Sequence, residues 1–278
     1  MRSLTGLLLL IVAGLAEALV PVTVDFEAST PYQSGTVMLR GELYRPEGKG
    51  PHPAVLLMHG CGGLTTVVRA GLKLHADNFV RHGFVVLTLD SFGPRGISGG
   101  WVCAGLDRLS AARRYRTTDA LDAIDYLQSL GDVDARNVFQ LGQSNGASVS
   151  IRLAQLRDRR FRAIAAYYPW CGAFVKSGGI ARLASPLIVL AAAQDDWTHP
   201  ADCVSMQSST LEYKVVLYPN AHHSFDLPVA VHRFQGHTVG HDAEAAVDSR
   251  GQVVRFFLYH LTEDRKRSMP TVSVENSS

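Results

Sequence analysis

A short apolar strand, Val138-Phe139-Gln140-Leu141, runs straight into Gly142-Gln143-Ser144-Asn145-Gly146 and then into a helical pattern. Few backbones accommodate that order. A serine on a sharp strand-to-helix turn is held in strained geometry with its hydroxyl pushed out of the fold. Side chains two residues to either side would strike the adjacent strand and helix, so both positions need glycine. The helix that starts there aims free N–H groups and the positive end of its dipole at the same point. The Gly-x-Ser-x-Gly pattern therefore predicts a nucleophile elbow with Ser144 as candidate nucleophile. Five residues do not make a site, however. A base, an acid and donors for a developing negative charge must come from elsewhere in the chain.

The flanking chain supplies a scaffold for them. Pro21 to Glu27 and Thr36 to Tyr44 read as an antiparallel β entry,. Ala54 to Met58 and Phe84 to Leu89 are continuous apolar runs, as expected of strands buried on both faces,. Further strands are read at Phe161 to Tyr168, Leu187 to Ala193 and Tyr213 to Tyr218, and helices at Thr65 to His82, Thr118 to Leu130, Ala147 to Leu156 and His241 to His260,. Strands alternating with helices predict an α/β fold with a mostly parallel central sheet and helices on both faces. In such sheets ligands bind at the carboxyl ends of the strands, where every glycine-rich or polar cluster of this chain falls.

The 278 residues are 46% hydrophobic and 19% charged, which suits one domain with a large core. The net charge of +2 and the lack of a Lys and Arg cluster paired with exposed aromatics argue against nucleic-acid binding. Arg113-Arg114-Tyr115-Arg116 and Arg157-Asp158-Arg159-Arg160 read as solvated helix ends or loops,.

The first 18 residues differ from the rest. Arg2, the apolar run Leu7 to Leu15 and the small-x-small Ala16-Glu17-Ala18 read as a secretory signal peptide, with a retained anchor as the alternative,. The expectation is an exported protein, periplasmic or secreted, without stable membrane insertion after cleavage. Disulfides persist in such compartments. Four cysteines allow three pairings. Cys61–Cys103 with Cys171–Cys203 is favoured, because each pair would link loops after consecutive strands. The domain is expected to span 19–263, followed by a polar, disordered tail over 264–278.

A serine hydroxyl needs a base, and the base an orienting acid. After Ser144, one strand ends at Gln194-Asp195-Asp196 and the next at Ala221-His222-His223-Ser224. The order Ser, Asp, His is the one expected when an elbow of this kind carries a triad. Composition does not choose between Asp195 and Asp196, or between His222 and His223. Backbone N–H donors for an oxyanion are expected from Asn145, the residue after the nucleophile, and from Cys61 in the glycine-rich loop after Met58. His222, His223, His232, His237 and His241 match no standard metal-ligand spacing, and no cofactor is expected. His82 and His260 read as helix-end dipole partners. Trp101, Tyr168, Trp170, Trp197 and Phe225 stand on loops where a pocket would form.

Together these pieces resemble the dienelactone hydrolase family. The resemblance rests on His59-Gly60-Cys61-Gly62-Gly63, Asp90-Ser91-Phe92-Gly93-Pro94-Arg95-Gly96, the elbow itself, Gln194-Asp195-Asp196-Trp197 and Ala221-His222-His223-Ser224-Phe225-Asp226. It implies an α/β-hydrolase fold and hydrolysis of a carboxylic ester or lactone, and it implies Asp195 as acid and His223 as base. Well-known members carry a cysteine nucleophile with a glutamate partner in the loop after the third strand. Here the nucleophile is Ser144 and that loop has no acid, which speaks against dienelactone itself. Lactone-cleaving members hold a substrate carboxylate with arginines. Arg95 is a candidate for one, or else a structural partner of Asp90 or another loop acid. Where a second arginine is expected, this chain has Asp226 and Leu227. A peptidase of the prolyl-oligopeptidase type, or a non-catalytic binding protein on the same fold, are the alternative readings.

Overall fold

The computed structural model describes residues 20–98, 100–157, 160–180, 182–206 and 212–268. The N-terminal segment read as a signal, Asp158 and Arg159 of the second basic run, and the tail from residue 269 lie outside the described residues. β1 (Val22–Glu27) and β2 (Met38–Tyr44) form the antiparallel entry. They are followed by β3 (His52–Met58), α1 (Thr66–Arg81), β4 (Val85–Asp90), α2 (Leu106–Ser129), β5 (Val133–Gln143), α3 (Asn145–Gln155) and β6 (Ile164–Tyr167). Then come α4 (Gly172–Val175), β7 (Leu187–Ala192), α5 (Pro200–Ser205), β8 (Tyr213–Tyr218), a hairpin of β9 (His232–Phe234) and β10 (His237–Val239), α6 (Ala243–Tyr259) and α7 (Glu263–Ser268).

Eight strands form one sheet in the order β1-β2-β4-β3-β5-β6-β7-β8. Pairing is antiparallel as far as β4 and parallel from there on. The period-2 alternation of side chains splits each buried strand between two cores. Leu56, Met58 and Val189 face α2 and α3, packing with Ile124, Leu127 and Val149. Val55, Leu57 and Phe139 face α1 and α6, packing with Leu72, Phe79 and Phe257. A smaller cluster of Cys61, Phe92, Val102, Cys103 and Ala112 lies under the loops beyond β3 and β4. The two disulfides are Cys61–Cys103 and Cys171–Cys203, the expected pairing. Among the described residues, no helix is long and apolar enough to cross a membrane.

Three expectations are corrected. The helix read from Thr118 begins at Leu106. Its first turns cover the loop cluster rather than the sheet and carry the arginine run, so they lack the apolar stripe that marks a helix in sequence. Within that run Arg116 is not solvated at all but fully buried. The polar tail starts as helix α7, whose Asp264 pairs with Arg136 at 2.6 Å and whose Lys266 pairs with Glu263 at 2.7 Å.

Candidate active site

β5 delivers Ser144 at the carboxyl edge of the sheet with φ 52° and ψ −114°, a left-handed conformation that a residue with a Cβ adopts only under constraint. The glycines make that turn possible. A Cβ on Gly146 would lie 2.6 Å from the main-chain oxygens of both Met58 and His59, and one on Gly142 would overlap the Gly146 carbonyl. Tyr168 and Ser224 also have positive φ, 40° and 64°, and both border the same cavity as Ser144. Backbone strain is thus gathered where β5, β6 and the loop after β8 meet.

The Ser144 hydroxyl donates to Nε2 of His223 at 3.0 Å, and Nδ1–H of His223 donates to Oδ2 of Asp195 at 2.8 Å. Asp195 is itself braced. Its Oδ1 accepts from the amides of Trp197 at 2.9 Å and Thr198 at 2.8 Å, and its Oδ2 accepts from the Thr198 hydroxyl at 2.7 Å. Burial pushes this carboxyl up, but the His223 charge, its hydrogen bond and the Thr198 donors outweigh burial and hold it below the usual carboxylate range,. The site therefore presents an ionised acid, an oriented imidazole and a hydroxyl in line. Such an arrangement is able to remove the serine proton as the oxygen attacks.

The neighbours of these residues turn elsewhere. His222 donates from Nδ1 to the Gln194 carbonyl at 3.1 Å. Asp196 accepts from the Thr238 amide at 3.0 Å and pairs with Arg233 at 3.3 Å, tying down the β9–β10 hairpin. That hairpin places Phe234 and Val239 on the cavity wall. The sequence carries no strand signal there, since strands of three residues have too little alternation to register.

Asn145 opens α3, where the first-turn amides have no partner within the helix. Neither the Asn145 amide nor the Cys61 amide donates to another group among the described residues, and both residues border Ser144. A Cβ on Gly60 would come within 3.2 Å of the Ser144 Cβ, a measure of how closely this loop approaches Ser144. The Asn145 side chain is locked at both ends. Oδ1 accepts from Arg116 Nη1 at 2.8 Å, and Nδ2 donates to the Leu109 carbonyl at 3.0 Å. Arg116 Nη2 donates to the His59 carbonyl at 2.6 Å. One buried guanidinium thus ties the start of α3 to the loop that carries Cys61. Burial lowers the pKa of Arg116 to about 10, which leaves it charged at neutral pH. Sequence reading missed this residue; a single arginine inside a basic run carries no signal of burial.

Arg95 does not reach the cavity. Its guanidinium forms a bidentate pair with Asp119 at 2.7 and 2.9 Å, donates to the Ser91 carbonyl at 2.8 Å, and lies over the Tyr115 ring at 4.6 Å. The expectation that it holds a substrate carboxylate is therefore corrected in favour of a structural ion pair, with Asp119 rather than Asp90 as partner. Asp226, at the position where a second arginine is expected, is a fully buried carboxylate. It accepts from Gln143 Nε2 at 2.6 Å, the Tyr168 hydroxyl at 2.6 Å and the His75 ring at 2.7 Å. Burial raises its pKa, and the His75, Tyr168 and Gln143 donors override that to hold it ionised. This network braces Gln143, the residue before Ser144.

The main cavity beside Ser144 has a volume of about 240 Å³ and is walled largely by Val67, Val68, Leu227, Val229 and Phe234, with Tyr168 and Trp197. Among the described residues, no lysine or arginine lines it. No three His, Cys, Asp or Glu side chains are gathered as a metal site among the described residues. Trp101, half exposed, stacks under Arg108 at 4.5 Å rather than facing the cavity, and Phe225 is buried in the core beneath it.

Comparison with known proteins gives the arrangement its context. Residues 39–261 match the dienelactone hydrolase family. Esterase FrsA of Escherichia coli O157:H7 is 32% identical over 135 residues, 49% of this chain and 30% of that protein. Its counterpart from Enterobacter sp. (strain 638) is 33% identical over the same length. The matched segment is thus well under half the length of these curated relatives. Among solved structures, a dienelactone hydrolase-like promiscuous phosphotriesterase from metagenomic libraries superposes with a TM-score of 0.67 at 20% identity, covering 87% of this chain and all (100%) of that one. A dienelactone hydrolase from Anabaena variabilis gives 0.60 at 17%, covering 87% and 99%. A dipeptidyl peptidase 4 from Porphyromonas gingivalis gives 0.57 at 15%, with 87% of this chain on 36% of that one. At such identities the structural likeness is one of fold, the α/β-hydrolase fold. The family match, running from β2 past the end of α6, goes further: the chain belongs to the dienelactone hydrolase family.

Proposed function

We propose that the protein cleaves a neutral carboxylic ester or lactone through an acyl-enzyme on Ser144. The observation that carries this reading is the unbroken relay Ser144–His223–Asp195, at 3.0 and 2.8 Å, opening onto an apolar cavity. Ser144 Oγ adds to the substrate carbonyl as His223 Nε2 takes its proton. Asp195 holds the imidazole in the tautomer that can accept there and offsets the imidazolium charge. The Asn145 and Cys61 amides face the developing oxyanion, which a helix N-terminus also favours. Collapse returns the proton to the leaving alcohol, and water activated by His223 then releases the acid.

A cavity wall without a cation disfavours a substrate carboxylate there, since an unpaired buried charge is costly. The same wall supports a neutral, apolar substrate. The pair of disulfides and the N-terminal pattern together support export to an oxidising compartment. The reading is tested by turnover of short-chain aryl esters and of peptide amides by wild type and Ser144→Ala. Ester turnover that vanishes in the variant supports it. Undiminished ester turnover in the variant overturns the mechanism, and turnover of amides in preference to esters overturns the substrate class.

A further inference from the structure

Ser144 borders two cavities, not one. The larger, about 240 Å³, has His223, Tyr168 and the hairpin residue Phe234 on its wall. The second, about 60 Å³, is walled by Asn145, Ser148, Leu106, Leu109 and Trp170. Cys61 and Trp197 belong to both walls. Trp197 is fixed as a partition: its ring stacks on His237 at 4.9 Å and meets the His223 ring at 5.0 Å. His237 in turn donates from Nδ1 to the Asp196 carbonyl at 3.1 Å.

We propose that these cavities divide the substrate at its scissile bond, with a short acyl group in the smaller one and a larger, uncharged, apolar alcohol in the other. The proposal rests on the esterase reading above and names the substrate class for it: short-chain acyl esters of bulky apolar alcohols. The path of one proton decides which arm goes where. After Ser144 Oγ has added to the carbonyl, the bond from the acyl carbon to the alcohol oxygen breaks as His223 Nε2–H passes its proton to that oxygen. The leaving oxygen must therefore stand within hydrogen-bond reach of Nε2. His223 borders the larger cavity and not the smaller, so the alcohol leaves through the larger one. The acyl group stays bonded to Oγ and takes the remaining space, between Asn145 and Trp170. In the second half, His223 takes a proton from water as the water oxygen joins the acyl carbon. Ser144 Oγ then departs with that proton, releasing a short carboxylic acid.

The size difference sets the selectivity. A methylene that does not fit a shaped pocket changes transition-state binding by about 10–200-fold. The test uses two isomers, hexyl acetate and ethyl hexanoate, which share formula, alcohol class and hydrophobicity but exchange their arms. Wild type is expected to favour hexyl acetate in kcat/KM by at least about tenfold. Trp170→Ala, which opens the smaller cavity, is expected to shift that ratio toward ethyl hexanoate by about tenfold or more. Leu106→Ala, at a side chain 64% exposed whose loss does not threaten the fold, is expected to shift it the same way by less. Equal or faster turnover of ethyl hexanoate by wild type overturns the proposal, as does a ratio that neither variant moves. If wild type hydrolyses neither isomer nor any aryl ester above the Ser144→Ala background, the esterase reading itself has failed and this assignment falls with it.

Discussion

The buried guanidinium of Arg116 donates to Oδ1 of Asn145 at 2.8 Å, and its other arm holds the His59 carbonyl at 2.6 Å. Arg116 touches no reacting atom; it positions the two segments whose amides face the proposed oxyanion. Arg116→Met strands two buried acceptors, each worth about 1–3 kcal/mol when unpaired, so unfolding free energy should drop by about 2–6 kcal/mol. Because both proposed oxyanion donors lose their brace, kcat should fall at least tenfold with KM little changed, and Arg116→Lys should recover part of it. Denaturant melts beside steady-state kinetics check both. A variant that loses stability but keeps full kcat contradicts the positioning role.

Asp195 and Asp196 are neighbours in sequence with different duties. Asp195→Asn should lower kcat by about 10³–10⁴-fold while the fold is retained, since the imidazole loses its orienting charge. Asp196→Ala removes the anchor of the β9–β10 hairpin and leaves the relay intact. Its effect should fall mainly on KM for bulky esters. Similar kcat losses in the two variants would show that the acid has been misassigned.

The disulfides close loops of 42 and 32 residues, each worth about 3–4 kcal/mol by loop entropy. Cys61–Cys103 also fixes the loop carrying one proposed oxyanion donor. The Cys61→Ser, Cys103→Ser double variant should therefore lose both Tm and kcat, whereas the Cys171→Ser, Cys203→Ser pair should lose Tm with kcat largely kept. Thermal melts and kinetics on the two double variants separate these outcomes.

Burial, reinforced by the Arg116 charge, holds the pKa of His59 well below its ordinary 6.5. In the unfolded chain the imidazole protonates near that value; in the folded protein it stays neutral. As pH falls below about 6.5 the unfolded state binds more protons, so the stability tied to neutral His59 is complete above that pH and drains away below it. The slope should approach about 1.4 kcal/mol per pH unit. Urea midpoints between about pH 7.5 and pH 5.5 should fall on this line for wild type and flatten in His59→Asn; coincident profiles would contradict it.

These features were unequally legible in the sequence. The elbow, an Asp pair and a His pair in order after it, and the strand run follow from local chemistry: glycines that must lack a Cβ, apolar runs buried on both faces, polar clusters after strands. The choice of Asp195 and His223 within those pairs rests on the family resemblance, and the cysteine pairing on loops that follow consecutive strands. What escaped depends on partners far apart in the chain. Arg116 meets Asn145 across 29 residues, Arg95 meets Asp119 across 24, and His75 meets Asp226 across 151. A charged residue in sequence reads as solvated because burial of a charge is costly unless it is paired, and the partner is visible only once the chain has folded. The first turns of α2 and the short hairpin lacked the periodicity that marks an element.

The most direct test of the account is covalent labelling of the folded protein with a fluorophosphonate, followed by peptide mass mapping. The account predicts one probe per chain on the Ser144 hydroxyl, abolished in Ser144→Ala and strongly slowed in His223→Ala. Absence of labelling in folded, disulfide-intact protein, or labelling on another residue that survives Ser144→Ala, would contradict it.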